Sequence, residues 1–206
     1  MTARSLWRGD APLLLASTSP VRRTLLESAG IPVETIAPGV DERAIEASLG
    51  AGVVPGDLAA RLARDKAEAV ARANPDRVVI GADQVLDLDG ECLGKPGTPD
   101  GARVQIARLS GRDHVLHSAV AVATGGRVHT VSVETAQLTM RALSEAAIGR
   151  YVDAAGEAAT CSAGAYEIEG LGIHLFARID GEHSTILGLP LLPTLAALRG
   201  LNLLAL

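Results

Sequence analysis

LLLASTSPVRRTLLESAG, residues 13–30, hands an apolar run over to a helix, and that handover decides the fold. The run at Leu13–Ala16 has the pattern of a buried strand. Thr18 or Ser19 can cap the helix that comes next, Pro20 suits a first helical turn, and Gly30 suits the stop. A helix start exposes unpaired N–H groups and the positive end of its dipole. The hydroxyls of Thr18 and Ser19 and the planar forks of Arg22 and Arg23 add to these, and together they make a phosphate cradle. No Walker spacing is present. The same residues also read as a plain N-cap followed by two surface arginines.

Outward from this unit, strands and helices alternate irregularly. IPVETIAP reads as a second strand. GDLAARLARDKAEAVARA reads as a strong helix, with Leu58, Leu62 and Val70 four or eight apart on one face. RVVIGADQVLDLDGECLG is a strand and hairpin turning at Asp89-Gly90. PDGARVQIARLSG is a helix stopped by Gly111, two strands flank Gly125-Gly126, and Ser144 caps another helix. GIHLFARIDGEHSTILGLP reads as a hairpin turning at Asp180-Gly181, and a last helix spans roughly Leu191 to Arg199. The expected fold class is α/β, with a mixed central sheet flanked by helices. The expected organisation is one domain over residues 1–206, without repeats or linkers.

Composition narrows the function. The 206 residues are 48% hydrophobic and 21% charged, ordinary globular usage. Aromatics are only 2%, too few for the stacking platforms of a single-stranded nucleic-acid binder. The net charge of −5 argues against duplex binding, so no nucleic-acid partner is expected. Cys92 and Cys161 form neither a metal-ligand spacing nor a disulfide framework. The apolar C-terminus is interrupted by Pro190, Pro193 and Arg199 and reads as a buried helix and tail, not a membrane span. A soluble, cytoplasmic protein is expected.

Charges inside apolar patterns are the informative residues. Lys66 lies four residues after Leu62 and four before Val70, within the apolar stripe of its helix, so it is either paired or snorkels to water. Asp83 follows Gly81 in a core strand pattern, which is costly without a cation; it either serves a site or caps a turn. Lys95 follows the hairpin that carries Asp83, and Asp41 and Glu42 follow a Pro-Gly turn. Cations and carboxylates at the ends of separate elements fit one phosphate–metal site. The five histidines show no ligand spacing; His114 and His117 face opposite sides of a strand.

LASTSPVRRTLL, LARDKA, GADQV, GECLGKP, RLSGRDH, AGAYEIEGLG and LGLP occur in this order from about Leu13 to Arg199. They resemble the Maf family of nucleoside triphosphate pyrophosphatases, also called septum-formation inhibitors. The resemblance implies hydrolysis of a nucleoside triphosphate to monophosphate and pyrophosphate with a divalent metal, Mg²⁺ or Mn²⁺. It also implies two lobes around a cleft, a fold related to the inosine triphosphatases (Maf/Ham1-like), and often a homodimer. Carried onto this sequence, the catalytic aspartate is Asp83. The phosphate site is Ser19, Arg22, Lys66 and Lys95, and the metal site is Glu42 with Asp83.

Three positions depart from the commonest family pattern. Val21 stands where many members have the first arginine, Gln84 where Thr is frequent, and Glu169 where a glutamine is frequent. These look like the base-selectivity set. The Thr and Gln forms go with dTTP and UTP, whereas Gln and Glu resemble the branch acting on 7-methyl-GTP, which often carries Trp where Val21 stands. A carboxylate accepts both guanine donors, N1–H and the 2-amino group, and favours the positive charge of a 7-methylated base. Glu169 also reads as a solvated loop residue. The expected substrate is 7-methyl-GTP. The alternatives are a broad-specificity or dTTP/UTP enzyme, and a nucleotide-binding regulator of septum formation without catalysis.

Overall fold

A computed structural model describes residues 6–50 and 52–206. Strand β1 (Leu13–Ala16) runs into α1 (Pro20–Ser28), as the opening stretch requires. The Ser19 hydroxyl accepts from the Arg22 N–H and caps α1. Beyond it lie β2 (Val33–Thr35), α2 (Glu42–Leu49) and α3 (Pro55–Ala73). Next come β3 (Val79–Leu88), β4 (Glu91–Leu93), α4 (Pro99–Leu109), β5 (Asp113–Thr124) and β6 (Arg127–Met140). The chain ends with α5 (Glu145–Ala155), α6 (Glu157–Cys161), β7 (Phe176–Asp180), α7 (His183–Ile186) and α8 (Leu191–Gly200).

Among the described residues, seven strands form one sheet in the order β2-β1-β3-β5-β6-β7, with β4 also on β3. β1 is parallel to β2 and β3, and the other pairs are antiparallel. The expected mixed sheet flanked by helices is therefore present. Leu58, Leu62 and Val70 of α3 are buried, in one cluster with Leu14, Ala16 and Val79 of the sheet. Leu26 of α1 and Leu198 of α8 pack in another with Leu13, Leu15 and Ile80. Alternation along β1 thus splits its leucines between two layers. Each such leucine contributes about 1.5–3 kcal/mol on burial. A third cluster joins Leu86, Leu116 and Leu138 to α4 and α5.

The pairing along one edge of β3 is interrupted, and this places the site. β1 pairs with β3 as far as Ala16 opposite Gly81, and β4 takes up the same strand from Leu86 opposite Leu93. Residues 82–85 lie between these partners. The loop leaving β1 and the loop leaving β4 converge on the gap from opposite ends.

Two expectations from the sequence are corrected. The stretch around Asp180-Gly181 is not a hairpin: β7 pairs with β6, and the chain then enters α7. Glu182 is the reason, because its carboxylate accepts from the Thr185 N–H at 3.1 Å and starts a helix where a return strand would begin. The GVDER segment does more than offer carboxylates: Asp41 caps α2, a helix that the sequence pattern does not reveal.

Candidate functional site

The gap in β3 opens into a cleft of about 840 Å³. Of the residues singled out from the sequence, Ser19, Val21, Arg22, Glu42, Lys66, Asp83, Gln84, Lys95 and Glu169 lie along its walls, whereas Arg23 and Asp41 do not.

Its floor is set by one close backbone approach. A Cβ on Gly81 would lie 2.2 Å from the Ala63 carbonyl oxygen and 2.5 Å from the Ala67 nitrogen, so only glycine lets α3 settle this deeply on β3. Lys66 sits on that turn of α3, and Asp83 is two residues along β3 on the same face. Their side chains meet at 2.5 Å from Nζ to Oδ1. Lys66 also reaches Glu42 Oε1 at 2.7 Å, from the first turn of α2. Lys66 and Asp83 are 6% and 7% exposed, so the ammonium is paired rather than snorkelling. Burial pushes the Asp83 carboxyl above its usual range, against the opposing pull of Lys66 and Arg22.

Arg22 reaches across the gap. Its Nε donates to the Gly188 carbonyl at 2.9 Å, and one Nη donates to Ala82 O at 2.9 Å and to Ser17 Oγ at 3.2 Å. The bond to Ala82 meets the open edge of β3, and the three together lock the guanidinium, with the other Nη left for a ligand. Arg23 is a different case. It points to solvent and pairs with Glu27, so it is no part of the cradle. Ser19 Oγ is engaged as the helix cap, and the buried Ser17 hydroxyl accepts from the Ser19 N–H at 3.2 Å. Lys95 is exposed at the rim without an ion-pair partner among the described residues.

Two further carboxylates line the cleft, on segment 162–169. Glu169 is exposed there, and Glu167, half-buried, accepts from Ser162 Oγ at 3.0 Å. Gln84 lines the wall, but its amide nitrogen is engaged with Ser118 Oγ, Thr185 O and Ile186 O, which leaves its carbonyl oxygen for a ligand. Arg43, Ser162, Tyr166 and Glu167 also line the cleft and were not singled out from the sequence. Arg43 adjoins Glu42, and Glu167 stands two residues before Glu169, the one local signal either offered.

Among the described residues no group of three or more His, Cys, Asp and Glu side chains is placed to hold a metal ion. Glu42 and Asp83 nonetheless converge on one point, where the Lys66 ammonium now sits. Two carboxylates completed by phosphate oxygens suit Mg²⁺, which is bound in that way rather than in an all-protein cage. No described helix is long and apolar enough to cross a membrane.

The chain is similar to several proteins of known name. The family model described as Maf-like protein matches residues 12–201. A nucleoside triphosphate pyrophosphatase of Nitrobacter winogradskyi is 53% identical over 202 residues, covering 98% of this chain and all of that protein. A 7-methyl-GTP pyrophosphatase of Brucella abortus is 48% identical over 188 residues, covering 91% of this chain and 94% of that one. Among solved structures, a dITP/XTP pyrophosphatase from Mycobacterium abscessus overlaps 63% of this chain and 73% of its own at 19% identity, with a TM-score of 0.40.

Proposed function

Since this chain belongs to the Maf-like protein family, we propose that it is a nucleoside triphosphate pyrophosphatase, cleaving its substrate to monophosphate and pyrophosphate. One observation carries this reading: a buried Lys66 ammonium held between Asp83 and Glu42, on the floor of a cleft that Arg22 and Lys95 also line. Such a floor suits a polyphosphate, whose oxygens replace carboxylates as partners of the cations.

The triphosphate lies across the start of α1. The free Nη of Arg22, with Lys66 and Lys95, neutralises its oxygens. Asp83 accepts a proton from the attacking water as the new O–P bond forms at the α-phosphorus. The bond from that phosphorus to the bridging oxygen breaks, and pyrophosphate leaves with its charge held by the lysines. A divalent cation held by Glu42 and Asp83 would supply further positive charge against the phosphate oxygens. The raised pKa of Asp83 makes it a stronger base than an exposed carboxylate.

The carboxylates of segment 162–169 support 7-methyl-GTP as the substrate. Glu169 and Glu167 stand there without a cation partner among the described residues, ready for guanine donors and for the charge of a methylated base. The similarity to the 7-methyl-GTP pyrophosphatase of Brucella abortus supports this reading. The test is pyrophosphate release from 7-methyl-GTP, GTP, dTTP and UTP with Mg²⁺ or Mn²⁺. The expected result is release from all, fastest at low concentration from 7-methyl-GTP, with Glu169→Gln cutting that preference roughly tenfold or more. Nucleotide-dependent thermal stabilisation without product would replace this reading with a non-catalytic binder.

A further inference from the structure

Segment 162–169 lines the cleft with the Glu167 and Glu169 carboxylates, and two of its residues have left-handed backbone. Gly164 has φ +80°, where a Cβ would lie 2.5 Å from the Tyr166 ring and 2.6 Å from Leu86. Ala165 has φ +62°, a left-handed conformation that a non-glycine residue adopts only when its surroundings impose it. Two polar contacts inside an apolar cluster flank it. The Tyr166 hydroxyl meets His114 Nε2 at 2.7 Å, and the Tyr151 hydroxyl donates to the Ala165 carbonyl at 3.2 Å. Phe176 stands edge-on to Tyr166, with ring centroids 4.8 Å apart.

His114 is out of place there. It is 2% exposed on β5, and its Nδ1 has no hydrogen-bond partner among the described residues. An unsatisfied buried polar atom is costly, and an aliphatic side chain would avoid it. The imidazole gives this site only one polar contact, the one to Tyr166. Tyr166 lines the cleft and lies three residues before Glu169.

We propose that His114 is a positioning residue for base recognition: through the Tyr166 hydroxyl it holds segment 162–169 in its left-handed turn, and so sets where Glu167 and Glu169 meet the nucleobase. The proposal rests on the pyrophosphatase reading above. It concerns the base end of the cleft and leaves the phosphate end untouched. His114 is not among the residues that line the cleft, so its effect is on KM and on the choice of base rather than on the chemical step.

The experiment measures kcat and KM for 7-methyl-GTP, GTP and UTP with wild type, His114→Leu, His114→Gln and Tyr166→Phe, alongside each protein's Tm. Tyr166→Phe keeps the ring and removes only the hydroxyl, so it tests the link even if His114→Leu does not fold. Glutamine places a polar terminal atom near the position of Nε2 and should preserve the link. The expected result is a KM for guanine nucleotides raised about 3- to 10-fold in Tyr166→Phe and His114→Leu. The guanine-over-uracil ratio of kcat/KM should fall by the same factor, with kcat within twofold and His114→Gln close to wild type. The proposal is overturned if Tyr166→Phe lowers Tm but leaves KM and that ratio within twofold. It is equally overturned if kcat falls while the ratio holds. A wild type that releases no pyrophosphate would instead sink the functional reading, independently of these variants.

Discussion

At the scale of single residues, two charges inside apolar patterns carried the site. Lys66 and Asp83 stood out because neither belongs in a buried stripe without the other, and the structure joins them at 2.5 Å. Asp83→Asn should lower kcat by about 10²–10⁴-fold, the range for loss of a general base, while Lys66 keeps Glu42 as a charged partner. In wild type, kcat/KM should rise with pH through an acid limb lying above the ordinary carboxylate range, since burial raises this carboxyl and only its ionised form takes a proton. That limb should vanish from the residual rate of the variant, as a pH–rate profile would reveal. Lys66→Met leaves Asp83 buried without its cation and should cost about 3–5 kcal/mol in urea unfolding. Adding Asp83→Asn should restore part of that loss, the mark of a coupled pair. Glu167 and Arg43 gave no such signal, because a carboxylate or guanidinium in a polar loop or helix start breaks no pattern.

At the scale of elements, strong periodicity was legible and weak periodicity was not. The stripe of α3 follows its leucines and is buried as read. α2 has no fully buried residue; its packing rests on Ile45 and Leu49, too little to show as a helix in the sequence. The mistaken hairpin at Asp180-Gly181 has a related cause: a turn dipeptide followed by mixed residues looks alike whether the chain returns as a strand or is captured by a Glu182 cap. Gly81 is the element-scale device that makes the site, because it lets α3 approach β3 closely enough for Lys66 to meet Asp83. Gly81→Ala should destabilise by more than about 3 kcal/mol, since its Cβ meets backbone atoms that cannot rotate away. Chemical denaturation would measure this, and a variant as stable as wild type would contradict that account of the interface.

Across the whole molecule, stability should depend on pH through His114. Burial holds this imidazole down to about 4, below the unfolded value near 6.5. Between those values the unfolded chain binds the extra proton, so stability is full above about pH 6.5 and is lost as pH falls toward 4. The loss should reach about 3 kcal/mol in urea midpoints taken across that window, and His114→Gln should flatten the slope. The sequence by itself determined the α/β class, most element positions and part of the set of residues that line the cleft, because burial period, turn chemistry and misplaced charges are local properties of a chain. Only the tertiary structure decided which neighbours β3 has and where it lacks them. It also decided that Arg22 meets the open edge while Arg23 faces water, and that His114 reaches Tyr166. Those outcomes depend on contacts between residues far apart in the chain, whose geometry comes from how whole layers pack and leaves no mark on any single stretch.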